Sequence, residues 1–441
     1  MSSSAFVIST ARHSPRQADW RGLSLSDCVL FWPGLWLACA LGAGIRLIGI
    51  LYLVLPVGLC LLYALTERVV PPRLLTVYLA FCAFAAALSK YGLFPSSWQS
   101  HFMEEAILKQ FIPTLGFVAV GWAAKAYFRK RFRYGNVFVG GQLAAGLGIL
   151  LEVPIAFYLG LGYQGDYSLY QMFAALGSFL NNTLISVFFI TGYIYFTKDW
   201  RRYFGLCTVF MIAAITHFAQ FRLWTLLLLA TFVGVPARKA LTALIAVLIV
   251  AFGVAINFGP QLMTLMPNEG LRAIMMHDGL LTMVDTDGIG IGYGKEAVRN
   301  RYKVPGEPDF RFLPDWDTMS PDRKLQALSN TIENSFFMTL LHTGIIGLCL
   351  LLSALFAAFP PRGLPRNAQK HAVVVFGMMI IASSVNAGLD TPLENIGLGF
   401  LYGYLLALRA WWHQVGGQES FPPAVETPDL SARNPGQPAA R

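Results

Sequence analysis

Residues 239–258 read Lys239-Ala-Leu-Thr-Ala-Leu-Ile-Ala-Val-Leu-Ile-Val-Ala-Phe-Gly-Val-Ala-Ile-Asn-Phe258. After the opening lysine no charge interrupts the run. Twenty residues at about 1.5 Å each make a helix of roughly 30 Å, the thickness of a bilayer's hydrocarbon core. Apolar runs of comparable character recur along the chain, at 27–44, 47–66, 72–90, 107–127, 137–160, 169–196, 203–217, 221–235, 333–359, 371–388 and 394–412. The pattern predicts an all-α polytopic membrane protein of about 12 transmembrane helices.

Composition leads to the same expectation. Of 441 residues, 55% are hydrophobic and 13% charged, where a soluble domain carries about 25% charged residues. A soluble core could not hide so much apolar surface. The net charge of +9 does not form a nucleic-acid patch, because the cations are dispersed over short inter-helix loops, as the positive-inside rule produces. The six cysteines (Cys28, Cys39, Cys60, Cys82, Cys207 and Cys349) all fall within apolar runs, so neither a disulfide framework nor a zinc site is implied. No short cleavable signal is evident, and the first span is expected to serve as its own insertion signal.

The loops set an expected orientation. With a cytoplasmic N-terminus, alternate loops are basic: Arg68 and Arg73; Arg129, Lys130, Arg131 and Arg133; Lys198, Arg201 and Arg202; Arg238 and Lys239; Arg362, Arg366 and Lys370. The expected organisation is a cytoplasmic segment 1–26, spans one to nine over 27–258, a large periplasmic loop 259–332, spans ten to twelve over 333–412, and a disordered cytoplasmic tail 413–441. Within the loop, Leu271, Ile274, Met275 and Leu281 have helical spacing; a Gly-, Pro- and Asp-rich part follows.

Unusual polar residues gather at the non-cytoplasmic ends of spans, where ionisable groups near lipid are costly and carry a reason. Two short crossings in 203–235 are joined by Thr216-His217-Phe218-Ala219-Gln220-Phe221-Arg222. Arg222 reads either as an interfacial arginine at a helix end or as a cation drawn into a recessed cavity. Arg272 opens Arg272-Ala-Ile-Met-Met-His277-Asp278, and the run Asp285-Thr-Asp287-Gly288-Ile-Gly290-Ile-Gly292-Tyr293-Gly294 follows. The alternating glycines lack the strand and helix of a dinucleotide fingerprint. They read as a tight turn or as backbone able to approach a phosphate or sugar closely. Glu333-Asn334-Ser335 opens the tenth run. Glu333 there either exploits the helix dipole or stands ready to take a proton from a hydroxyl. His342, nine residues on, would lie about 13 Å deeper on the opposite face, and reads as a buried, hydrogen-bonded histidine. Asp390 and Glu394 share the same side and could orient the arginines or bind sugar hydroxyls. Glu152, inside the fifth run, needs a partner that the sequence does not name.

Together these pieces resemble the O-antigen ligase and polymerase superfamily (the Wzy/WaaL type). The matching elements are Gln220-Phe221-Arg222-Leu223-Trp224 before a leucine-rich helix, then Arg272 and Gly288-Ile-Gly290-Ile-Gly292-Tyr293-Gly294, then Glu333-Asn334-Ser335-Phe336-Phe337 leading to Gly344-Ile345-Ile346-Gly347-Leu348. They cover about residues 205–350. Ligases carry histidine where this chain has Glu333, and that departure favours a polymerase of exopolysaccharide or O-antigen repeats. The resemblance implies a GT-C-like fold with one long periplasmic loop in a bacterial inner membrane. It implies a metal-independent inverting glycosyltransferase with no cofactor, using a glycan on undecaprenyl pyrophosphate.

The chemistry of the residues suits that implication. Arg222 and Arg272 would neutralise the pyrophosphate leaving group, since guanidinium forks match phosphate oxygens and stay charged. Glu333 would activate the acceptor hydroxyl. Asn334, His217, Gln220, Tyr293, Asp390 and Glu394 are the candidate substrate-binding residues. Asp285-Thr-Asp287 has the spacing of a metal-binding pair and is the feature most at odds with a metal-free site. Expected partners are the undecaprenyl-pyrophosphate-linked oligosaccharide, membrane lipid, and chain-length and export proteins, with no nucleic acid. A ligase acting on lipid A-core and a flippase or other exporter of lipid-linked oligosaccharide are the competing readings.

Overall fold

The computed structural model describes residues 24–42, 53–91, 103–134, 180–196, 200–215, 219–265, 276–277, 279–281, 283–293, 334–385 and 395–415. The expected fifth span (137–160) with Glu152, the first 23 residues, most of the loop 259–332 and the tail beyond 415 lie outside them.

Among the described residues the chain is helical and contains no strand. A π-helical turn Asp27–Phe31 leads into α1 (Trp32–Gly42), and a second one, Leu53–Val57, leads into α2 (Gly58–Thr66). Pro56 sits in that second turn, where a missing N–H suits a widened helix. The rest are α3 (Arg73–Lys90), α4 (Met103–Tyr134), α5 (Leu180–Phe196), α6 (Trp200–Ile215), α7 (Ala219–Phe232), α8 (Ala237–Leu265), α9 (Ser335–Ala357), α10 (Arg366–Val385) and α11 (Asn395–Gln414).

Among the described residues, five segments are long and apolar enough to cross a membrane: Arg73–Lys90, Gln110–Phe132, Ala237–Phe258, Ser335–Ala357 and Arg366–Val385. Four apolar helices among them are shorter: Asp27–Leu37, Leu55–Thr66, Leu184–Phe196 and Gln220–Phe232. Two of the boundaries that differ from the sequence reading show a local reason. The cations Arg129 to Arg133, expected in a loop, are the last turns of α4, and the ion pairs of Lys130 and Arg131 described below anchor that helix end. α8 runs past Phe258, but that residue is non-helical (φ −119°, ψ 21°). Pro260, two residues on, has no N–H to donate and restricts the residue before it.

The burial pattern is that of a bundle set in apolar solvent. α3 buries Leu75, Tyr78, Cys82, Ala85, Ala86 and Ser89, one helical face, while Val77 and Phe84 on the other are exposed. α8 exposes Val247, Ile249, Val250 and Val254. Such helices have an inward face chosen by packing and an outward face that remains apolar.

α11 is the centre. It is buried from Asn395 through Leu405 and again at Ala407, Leu408, Trp411 and Trp412, and a helix apolar all round belongs inside. Its pairing with α4 is the most extensive among the described helices. The reason is a seam of small residues, Gly399-Phe-Leu-Tyr-Gly403 on α11 against Gly121 and Ala124 on α4. A Cβ at Gly403 would meet the Gly121 carbonyl oxygen at 2.5 Å, Ala124 Cβ at 2.6 Å and Lys125 N at 2.7 Å. Two of those atoms are backbone and cannot move aside. Lacking a hydrophobic driving force between helices in lipid, close backbone approach of this kind supplies the dispersion contact instead. Asn395 Nδ2 also donates to the carbonyl of Pro113 within α4, at 2.6 Å.

Gly403→Ala is therefore expected to cost about 1–3 kcal/mol by overpacking, seen as earlier thermal unfolding of the detergent-purified protein. Gly253→Ala, at a glycine whose added Cβ meets nothing within 4 Å, should leave the transition in place or raise it.

Candidate functional site

The helices run so that chemically different residues collect at the two ends of the bundle. One end is basic. There Arg238 Nη2 donates to Pro360 O at 3.2 Å, Arg409 Nη1 to Ala357 O at 2.8 Å and Trp412 Nε1 to Arg362 O at 3.0 Å. The opposite end joins α3, α9, α10 and the glycine-rich segment, and the sequence-predicted site residues that the structure describes lie there or near it.

The central feature of that end is a break in α9. Gly344 has φ +68° and ψ −169°, so helix stops and restarts at this residue. In an unbroken α-helix the N–H of Ile345 would donate to the carbonyl of Leu341, four residues back. Here that pair is split, and the glycine-rich segment takes both halves. Ile291 N donates to Leu341 O at 2.7 Å, and Ile345 N donates to Gly288 O at 2.9 Å. Both orphaned backbone groups are satisfied by the inserted chain, as a low-dielectric setting demands.

The insertion explains the glycines. Gly288, Gly290 and Gly292 have φ of +76°, +89° and +80°, and Asp287 before them has +50°. Side chains with a Cβ rarely adopt such values. A Cβ on Gly290 would also lie 2.5 Å from Leu341 O and 2.9 Å from Gly344 N. The turn is closed by Gly288 N donating to Met283 O at 2.9 Å and Gly290 N to Thr286 Oγ1 at 3.3 Å. Of the two sequence readings of this run, a tight turn and a ligand-approaching loop, the observed close approach is to a helix backbone.

Tyr293 ends the inserted segment Gly288–Tyr293, which forms a strap across the break in α9. Tyr293 is buried, its N–H donates to Ser89 Oγ of α3 at 2.7 Å, and its ring stacks on His342 with centroids 4.7 Å apart. His342 is buried. Nearby, the Tyr78 hydroxyl and Thr339 Oγ1 are 3.4 Å apart, a further link between α3 and α9.

Asn334 is the N-cap of α9. Its Oδ1 accepts from Phe336 N at 3.0 Å and Phe337 N at 3.1 Å, and its Nδ2 donates to Ser384 O of α10 at 2.7 Å. The side chain caps the helix and ties it to α10. Gln220 is buried at the start of α7. Arg222, two residues on, is exposed on the same outward stripe as Leu226, while Phe221, Trp224, Thr225 and Leu228 face inward. Asp285 and Asp287 are both exposed. Among the described residues no three His, Cys, Asp or Glu side chains are grouped to hold a metal ion. Glu333, Arg272, His217, Asp390 and Glu394 lie outside the described residues.

The basic end holds a cluster that the sequence reading missed. Asp27 is buried and accepts from Arg131 Nη2 at 2.9 Å and from the Tyr63 hydroxyl at 2.5 Å. Lys130 Nζ lies 3.7 Å from Asp27 Oδ1 and 2.6 Å from Glu67 Oε1, and Ser26 Oγ also donates to Glu67 at 2.7 Å. Arg131 lies over the Tyr127 ring, 4.9 Å from its centroid. The available signal was an acid, Asp27, at the mouth of an apolar run, set against the cation run of 129–133. The cluster fastens the start of α1 and the ends of α2 and α4.

Gly290→Ala should open the break in α9 through steric conflict and an adverse φ, costing about 2 kcal/mol or more. The measurement is thermal unfolding in detergent, with faster hydrogen exchange at Ile291 and Ile345. Asp27→Asn leaves Arg131 buried without its counter-charge and should cost about 3–5 kcal/mol, read as lost folded protein or a lowered melting transition. No protein-family model matches this chain, and no curated protein sequence matches it.

Proposed function

We propose that this chain is an inner-membrane polysaccharide polymerase of the kind its motifs resemble, with about twelve spans, cytoplasmic termini and a reaction centre on the periplasmic side. It would move a growing glycan from undecaprenyl pyrophosphate to a sugar hydroxyl of the next lipid-linked repeat. In that reaction the bond from the anomeric carbon to the pyrophosphate breaks. The acceptor oxygen attacks from the opposite face, and configuration inverts. The acceptor proton passes to Glu333, and Arg222 and Arg272 take the charge that develops on the departing pyrophosphate.

The observation that carries the proposal is the strap. Two of the motif segments behind the resemblance, Gly288–Tyr293 and Gly344–Leu348, are far apart in sequence yet are joined at the break in α9 by the hydrogen bond from Ile345 N to Gly288 O. The strap follows Arg272 in the chain, and α9 begins just after Glu333. Tying one to the other tethers the loop carrying the arginine to the helix that follows the acid. Asn334 fixes the same helix start against α10. An exposed Arg222 on the outward stripe of α7 offers its guanidinium to a donor that arrives through the lipid.

Purified protein incubated with one lipid-linked repeat unit should build a ladder of products. Arg222→Ala, Arg272→Ala and Glu333→Gln should each lower the rate of chain extension by about 10²-fold or more, with single lipid-linked repeats accumulating and the melting transition unchanged. A fully active Glu333→Gln removes that residue as the base. Chelator should leave the rate intact; loss that magnesium or manganese restores would overturn the metal-free mechanism.

A further inference from the structure

α7 carries polar residues on two opposite faces. Gln220 and Trp224 are four residues apart, so they lie within about 40° of each other around the helix, one turn apart along it. Both are buried, at 3% and 1% exposure. Arg222, between them in sequence, is turned by about 200° from either and is exposed. Packing sets the inward face. α7 meets α10 more extensively than any other described helix, and a Cβ at Gly377 of α10 would collide with Leu227 Cδ2. Phe221, Thr225 and Leu228 are buried on the same side.

Trp224 carries an unmet donor on that face. Its indole Nε1 is buried and makes no hydrogen bond. Thr225, beside it, donates its hydroxyl to Phe221 O at 2.7 Å. Tryptophans that are less buried do find acceptors: Trp122 Nε1 donates to Val69 O at 2.8 Å and Trp412 Nε1 to Arg362 O at 3.0 Å. An indole nitrogen can only donate, and an enclosed donor left bare costs free energy that a phenylalanine ring would not. Its place in the fold says which acceptor would relieve it. Trp224 is in the second turn of α7, and a helical side chain leans back toward the N-terminus, here toward the end of the bundle that holds the strap and the cap of α9. A diphosphate anchored in lipid meets Arg222 on the outer face. The inner face is uncharged, and an amide followed one turn later by an indole suits sugar oxygens instead.

We propose that Trp224 donates its indole N–H to a sugar oxygen of the lipid-linked repeat, with Gln220 one turn before it, so that α7 divides the substrate between its two faces. The diphosphate lies on the outward side with Arg222 and the glycan on the inward side. The inference rests on the polymerase reading above, and adds to it a sugar-binding residue and an orientation of the substrate across one helix.

The test is nuclear magnetic resonance of the full-length protein in detergent with isotope-labelled tryptophan, beside the polymerisation assay. Trp224→Phe keeps an aromatic ring, loses the N–H and identifies the Trp224 indole resonance by its disappearance. In the wild-type protein that resonance should shift when the lipid-linked repeat unit is added and stay in place with undecaprenyl pyrophosphate carrying no sugar. Trp224→Phe should lower kcat/KM for chain extension about three- to tenfold. Benzothienylalanine at position 224 replaces the N–H by sulfur at constant shape, so it should repeat that loss with the melting transition unchanged. Wild-type kcat/KM in the benzothienylalanine protein, or a resonance unmoved by a repeat unit that the protein polymerises, would overturn the inference and leave the polymerase reading standing. An equal shift with sugar-free undecaprenyl pyrophosphate would overturn the division of the substrate across α7. Wild-type protein that builds no ladder from the repeat unit sinks the polymerase reading and this inference with it.

Discussion

The hydrogen bond that α9 gives up between Ile345 and Leu341 is the constraint on which the non-basic end depends. Within lipid, a helix cannot leave a donor and an acceptor bare, because water is not there to take them. The strap Gly288–Ile291 supplies the missing acceptor and donor. It can do so only because glycine removes every Cβ from the approach. Once the strap is seated, Tyr293 is carried to Ser89 on α3 and to the face of His342. One split backbone pair thus links a loop, a broken helix and a neighbouring helix, with few side-chain hydrogen bonds involved.

The opposite end is built by a different force. Asp27, Arg131, Tyr63, Lys130 and Glu67 fasten three chain segments through charge. A buried ion pair is costly to assemble and more costly to break, so the cluster fixes which helix ends are neighbours more than it adds net stability. Between the two ends, the glycine seam of α4 and α11 holds the centre by close backbone contact. The bundle therefore uses charge at one end, dispersion in the middle and backbone hydrogen bonds at the other. Each suits its local dielectric.

This division bears on the proposed function. Glycan transfer from a diphosphate carrier would need fixed cations and a fixed base, and helix ends tied by caps and inserted backbone hold groups more rigidly than free loops do. On the proposed reading, the capped start of α9 and the seated strap would be supports of that kind.

Much of the architecture was legible in the sequence because lipid leaves so little choice. An apolar run long enough to cross must satisfy its backbone internally, so helix follows from hydropathy alone, as residues 239–258 illustrate. Dispersed cations set an expected orientation of the loops; in the structure the contacts of Arg238, Arg409 and Trp412 gather at one end of the bundle. What sequence could not decide was which long-range partner each exception would meet. The alternating glycines read equally well as a turn or a ligand loop, Asn334 read as a substrate contact where the structure makes it a cap, and Asp27 drew no reading at all. Hydropathy and spacing are local properties. A backbone gap filled from a strap far away in sequence, or an aspartate matched to an arginine 104 positions later, exists only once tertiary packing has brought both sides together.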